Sequence, residues 1–154
     1  MVSFVGKLYG AKNEYEEVSK FIQYLLSIKC NVYYRGEKAV EKEIVKQLSE
    51  KIGKENVNSQ YAVGGFLNLK CDIDVYNGKC GIELKVAKQL NNATALQRVI
   101  GQLVYYSQRR YKDTGLILLV VGTQSELNAK LKELKDFVEQ IPGVHFMYKQ
   151  TEKK

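Results

Sequence analysis

Apolar and polar residues follow two different periods along the chain, and each change of period marks an element boundary. From about Glu14 to Ile28, Val18, Phe21, Ile22, Leu25 and Leu26 recur at helical spacing with Glu16, Lys20 and Gln23 opposite, which predicts an amphipathic helix. An extended stretch, Asn31 to Tyr34, ends at Arg35-Gly36. A second helix is expected from Glu37 to Ile52, where Gly53 stops it. Strands are expected over Val57 to Val63, Leu69 to Tyr76 and Lys79 to Val86, separated by turns at Gly64-Gly65 and Asn77-Gly78. Asn91-Asn92 precedes a third helix, Ala93 to Tyr111. The unbroken apolar run Gly115 to Gly122 predicts a strand covered on both faces. Ser125 is the expected cap of a helix running to Gln140, Pro142-Gly143 breaks it, and Val144 to Lys149 forms a last strand. The tail from Thr151 to Lys154 is expected to fray.

This order predicts one α/β domain with a mixed central sheet flanked by helices. Residues 1–35 form an N-terminal helical extension, 36–122 a core, and 123–154 a C-terminal helix and strand. At 154 residues the chain suffices for one sizeable hydrophobic core.

The hairpin around Asn77-Gly78 carries the chemistry. A two-residue turn there pairs Tyr76 with Lys79, Val75 with Cys80, Asp74 with Gly81, Ile73 with Ile82 and Asp72 with Glu83. Alternation then places Asp72, Asp74, Glu83 and Lys85 on one face, and Cys71, Ile73, Val75, Cys80, Ile82, Leu84 and Val86 on a core face. Opposed carboxylates destabilise a sheet. A divalent cation between them removes that penalty, and hard oxygen ligands suit Mg²⁺ or Mn²⁺. The structural reading is a solvated face whose acids are offset by Lys70, Lys79 and Lys85. In the second helix, Glu41 falls inside the stripe of Val40, Ile44, Val45, Leu48 and Ile52, where an acid is costly unless paired or metal-bound. Glu37, one turn earlier, is the fallback, and Glu43 is expected in solvent. A buried acid paired with a structural cation is the bland account of Glu41.

Composition narrows the chemistry further. Three cysteines, Cys30, Cys71 and Cys80, are too few and too scattered for a disulfide framework or a zinc site. One histidine, His145, leaves no material for a histidine triad, so any chemistry rests on carboxylates and lysines. The formal net charge of +7 favours a polyanionic partner. No apolar run approaches the roughly 20 residues that span a bilayer. The stretch MVSFVGKLYGAKNEYEE turns polar too early for a signal peptide, so no membrane role and a cytoplasmic location are expected.

The stretch CDIDVYNGKCGIELK, Cys71 to Lys85, resembles the signature of the PD-(D/E)XK nuclease superfamily, an acid on one strand followed by E-x-K on the next. Glu41 in VEKEI is similar to the superfamily's first motif. Gln102 to Tyr106 is similar to the Q-x-x-x-Y motif of its RecB-like and lambda-exonuclease-like branches. Cys71 stands where the family name has proline. The resemblance implies a restriction-endonuclease-like αβββαβ core and a metal-dependent DNA nuclease. In that reading Asp72, Glu83 and Glu41 hold Mg²⁺, with Mn²⁺ substituting, and Lys85 orients or helps deprotonate the attacking water. Asp74 is either a second partner of the site or, the favoured reading, a solvated acid near the hairpin tip. Candidate substrate contacts are Arg35, Lys88, Arg98, Gln102, Tyr106 and Arg109, with Arg110 beside them. Gln102 and Tyr106 either support the site or touch the substrate. Endonuclease action is favoured over exonuclease action, and a homodimer is expected, the N-terminal helix being the candidate interface. The rival reading is a nucleic-acid-binding protein on a nuclease-like fold that does not cut.

Overall fold

The computed structural model describes residues 36–151, and the expected N-terminal helix, its dimer interface, Arg35 and Cys30 lie outside the described residues. Helix α1 spans Glu37–Ile52 and stops at Gly53 as expected. Strands β1 (Val57–Gly64), β2 (Leu69–Val75) and β3 (Cys80–Val86) follow. Helix α2 (Ala93–Tyr106) leads to β4 (Leu116–Gly122), and helix α3 (Ala129–Val138) leads to β5 (Val144–Gln150). The five strands form one mixed sheet in chain order. β1, β2 and β3 pair antiparallel, while β3, β4 and β5 run parallel because helices return the chain between them. This is the αβββαβ core with flanking helices that the sequence predicts.

Both faces of the sheet are covered. Val40, Ile44 and Leu48 of α1 pack on Ile73, Val75, Ile82, Leu84, Ile117, Leu119 and Val121. On the other face, Val99 and Leu103 of α2 and Leu131, Leu134 and Val138 of α3 pack on Leu116, Leu118 and Val120. Strand β4 is therefore buried along its whole length, as its unbroken apolar run requires.

Several elements depart from expectation, each for a local reason. The third helix is α-helical only to Tyr106, and Ser107–Tyr111 continue as a wide π turn. That turn carries Arg110 and Tyr111 to Asp74. Ser125 does not cap α3. Thr123 and Glu126 form a capping box around a short 3₁₀ turn, and Asn128 caps α3 by accepting from the Leu131 amide at 3.1 Å. The Asn77-Gly78 turn is wider than a two-residue loop. Tyr76 joins Asn77 and Gly78 at positive φ, and its amide donates to the Asn56 carbonyl instead of closing a pair with Lys79.

Candidate active site

The β2–β3 ladder pairs Val75 with Cys80, Asp74 with Gly81 and Ile73 with Ile82, in the register set by the turn. Beyond Ile73 the two strands part. Asp72 does not face Glu83 as a regular opposed pair. Its Oδ2 instead accepts from the Leu84 amide at 2.8 Å, a side chain standing in for the missing main-chain partner. The strict alternation expected of β2 also fails here. Cys71 packs in the α2-side core, whereas Ile73 packs on the α1 side. At the fork the Cys71 thiol reaches the carbonyls of Ile73 and Ile82 at 3.6 and 3.5 Å.

Around this fork, four acids and one lysine converge from three elements. Lys85 Nζ lies 3.5 Å from Glu83 Oε2 and 3.9 Å from Glu37 Oε1. Gln60, on β1, bridges the remaining two acids: its Nε2 donates to Glu41 Oε1 and Oε2 at 3.0 and 3.1 Å and to Asp72 Oδ1 at 3.2 Å. Gln60 sits at φ 53°, a left-handed conformation unusual for a residue with a side chain. Sequence reasoning missed this glutamine. A two-residue turn at Gly64-Gly65 would have set Gln60 opposite Leu69; the wider turn and the register shift between Ala62 and Gly64 bring it beside Asp72 instead, so the sequence pattern carried no signal for it.

Burial dominates the electrostatics. Glu83 is 2% exposed, and burial and then the Asp72 charge push its carboxyl well above the usual range, with Lys85 opposing. Asp72 is also raised by burial, with the Leu84 amide and Lys85 holding it down. Glu37 and Glu41 are raised as well, again chiefly by burial. The Lys85 ammonium acts on three of these carboxylates, Glu37, Asp72 and Glu83, while Lys38 opposes the rise at Glu41. Glu83 Oε1 is buried and has no hydrogen-bond partner among the described residues. A buried carboxylate oxygen left without a donor costs stability unless a proton or a cation meets it.

The residues fit a hard divalent cation in one form and not in another. Among the described residues, no group of three or more His, Cys, Asp or Glu side chains is arranged to hold a metal ion. The expected set of Asp72, Glu83 and Glu41 is thus not assembled, because the Gln60 amide lies between Glu41 and Asp72. Mg²⁺, however, is commonly held by one or two carboxylates together with water and substrate phosphate. Asp72 and the short-handed Glu83 supply such a pair of oxygen donors.

The other expected residues divide. Asp74 is not a solvated acid. It is fully buried and accepts from Arg110 Nε at 2.7 Å, Tyr111 Oη at 2.6 Å and the Gly78 amide at 3.0 Å. Gly81, its ladder partner, makes this possible, since a Cβ there would lie 2.5 Å from the Tyr111 ring. Arg110 is thereby a structural cation rather than part of a phosphate strip. Tyr106, expected among the substrate contacts, is buried and donates to the Lys70 carbonyl at 2.8 Å, so it braces β2 from behind. Gln102 is half-buried, and its Oε1 has no partner among the described residues. Glu43, expected in solvent, is half-buried and accepts from Gln47. Lys88, Arg98 and Arg109 are exposed. Cys71 and Cys80 are buried free thiols.

Among the described residues, no helix is long and apolar enough to cross a membrane. No protein family, curated protein or solved structure matches the chain. The fold geometry is consistent with a nuclease-like scaffold, and the acids Glu37, Glu41, Asp72 and Glu83 gather at the fork between β2 and β3.

Proposed function

We propose that the chain is a Mg²⁺-dependent DNA nuclease acting as an endonuclease, with Asp72 and Glu83 as the cation-holding pair and Lys85 as the catalytic cation. The observation that carries this reading is Glu83. It is a buried carboxylate with one oxygen lacking a donor among the described residues, at a strand fork that also gathers Asp72 and Lys85. A divalent cation held there supplies Lewis acidity toward a phosphoryl oxygen and toward the attacking water.

The chain's own groups do the rest. Lys85 rests between Glu83 and Glu37, from where its ammonium orients the attacking water and offsets charge gathering on the phosphorus oxygens. Asp72 is fixed by the Leu84 amide, so its second oxygen keeps one direction. Gln60 holds Glu41 near the pair without joining it. Exposed Lys88, Arg98 and Arg109 are proposed to meet the DNA backbone, in keeping with the net charge of +7. A homodimer, a cytoplasmic location and exchange of Mn²⁺ for Mg²⁺ belong to the same proposal.

One observation favours the rival, non-cutting reading: the Gln60 amide lies between two of the three expected ligands. Incubation with linear, nicked, single-stranded and four-way DNA in Mg²⁺, Mn²⁺ or EDTA separates the two. Cleavage that needs the cation and is lost in Glu83→Gln supports the nuclease. Binding to every substrate with no cleavage in either metal supports the rival.

A further inference from the structure

The turn between β1 and β2 holds an aromatic ring in solvent. Phe66 is 90% exposed and its neighbour Leu67 47%. A single apolar residue at a surface is ordinary, but this pair is not on a loose loop. Tyr105 of α2 clamps the turn twice: its hydroxyl donates to the Gly64 carbonyl at 2.7 Å and accepts from the Leu67 amide at 3.1 Å. Gly64 and Gly65 at positive φ let the chain turn sharply, and a Cβ on Gly65 would collide with the Tyr105 hydroxyl and the Arg109 guanidinium. The Tyr105 ring meets Phe66 edge-on, with centroids 5.7 Å apart. Phe66 is therefore propped outward by its own neighbours, beside an exposed arginine.

We propose that this turn is a base-stacking finger: Phe66 takes an unpaired nucleobase of DNA while Arg109 meets the adjoining phosphate. The physical case is complementarity. An aromatic face beside a cation, on a chain of net charge +7, matches the alternation of base and phosphate along a single strand. Inside a duplex the base faces are already stacked on one another, and only the two terminal pairs expose a face. The substrate class is therefore DNA with a single-stranded end, flap or junction rather than uniform duplex. That step rests on the nuclease reading, because Asp72 lies three residues along β2 from Leu69, about 10 Å at the strand rise. In that reading the backbone that follows a base seated on Phe66 runs along β2 toward the strand fork.

The chain has no tryptophan, so the emission of a Phe66→Trp variant reports this position alone. Binding of the full chain is measured in EDTA, where cleavage plays no part. Single-stranded oligonucleotide should quench that emission, and blunt duplex should not. Phe66→Ala should weaken single-strand binding roughly 5- to 150-fold, the usual effect of removing one stacked aromatic, and Phe66→Trp should retain it. Arg109→Gln should lower the salt dependence of single-strand binding by about 0.7 of a unit in log–log slope. Wild-type affinity in Phe66→Ala overturns the finger. So does a change in the sedimentation of DNA-free Phe66→Ala with DNA binding intact, which makes the tip a contact between copies. Loss of the nuclease reading is visible separately, as wild-type protein that binds but does not cut in Mg²⁺.

Discussion

Two acids stand two residues apart on β2 and meet opposite fates. Asp74 is fully buried and completely served, by a guanidinium, a phenol and a backbone amide. Glu83 is also buried and its neighbour Asp72 half-buried, yet Glu83 keeps a buried oxygen without a donor among the described residues and both carboxyls are raised by burial. The bonds to Asp74 raise the ionisation range of Arg110, first through the hydrogen bond itself, so the guanidinium stays charged. A buried acid kept for structure is paired to completion. One left short among the described residues is the place where the proposed cation would sit. Asp74 and Glu83 thus differ in how fully they are paired, not in how deeply they are buried.

The largest effect should follow from spoiling the satisfied acid. Arg110→Met leaves the Asp74 carboxylate buried without its cation, a change that costs about 3–5 kcal/mol in comparable buried pairs. Urea unfolding measures it, and a loss below the usual surface value of about 1 kcal/mol would show the Arg110 pair to be ornamental. Lys85→Ala tests the other side. It should lower cleavage by about 10²- to 10³-fold, as removal of one charge-stabilising donor does, with DNA affinity in EDTA nearly unchanged. Full cleavage by that variant removes Lys85 from the mechanism.

Much of this contrast was legible in the sequence, and the missing part has a physical explanation. The Asn77-Gly78 dipeptide fixed which residues of β2 and β3 face one another, so Ile73–Ile82, Asp74–Gly81 and Val75–Cys80 followed from local turn chemistry. The helix pattern likewise placed Glu41 near the site. Strict alternation could not show that β2 and β3 part after Ile73, because that break depends on Asp72 capturing the Leu84 amide. Nor could it show that Asp74 is buried. The helix that covers it is distant in sequence and changes to a π turn only where it delivers Arg110 and Tyr111. Gln60 was invisible for the same reason, since its role exists only across strands.

The acid left short should make stability depend on pH and on cation. Glu83 binds its proton more tightly in the folded chain than in the unfolded one. Its contribution is therefore fully present below the ordinary carboxyl value near 4.3 and is lost as pH rises through the raised folded value. In EDTA the wild-type Tm should fall with rising pH across that window, and Asp72, raised in the same direction, should add to the fall. Glu83→Gln cannot ionise, so its Tm should fall less. Mg²⁺ at neutral pH should restore the wild-type Tm and leave the variant where it was. Parallel pH profiles for the two proteins would remove the claim that Glu83 is strained by its burial.

The smallest effect belongs to Gln60, and it sharpens the comparison most. Asp74 is served by a cation, whereas Asp72 and Glu41 share one neutral amide, which holds them but cannot neutralise them. Gln60→Ala removes those bonds at a solvent-facing position and should cost about 1 kcal/mol in EDTA. If the amide stands where a cation's charge is wanted, that loss should shrink when Mg²⁺ is added, since the carboxylates then have a better partner. Gln60→Gly separates the bond from the backbone: it deletes the same amide but relaxes the left-handed conformation at φ 53°, so it should be less destabilising than Gln60→Ala. Denaturation of both variants with and without Mg²⁺ decides the matter. A loss equal in the two conditions makes Gln60 a structural bridge, of the same kind as the bonds around Asp74, and the contrast between the two acids then narrows to Glu83 alone.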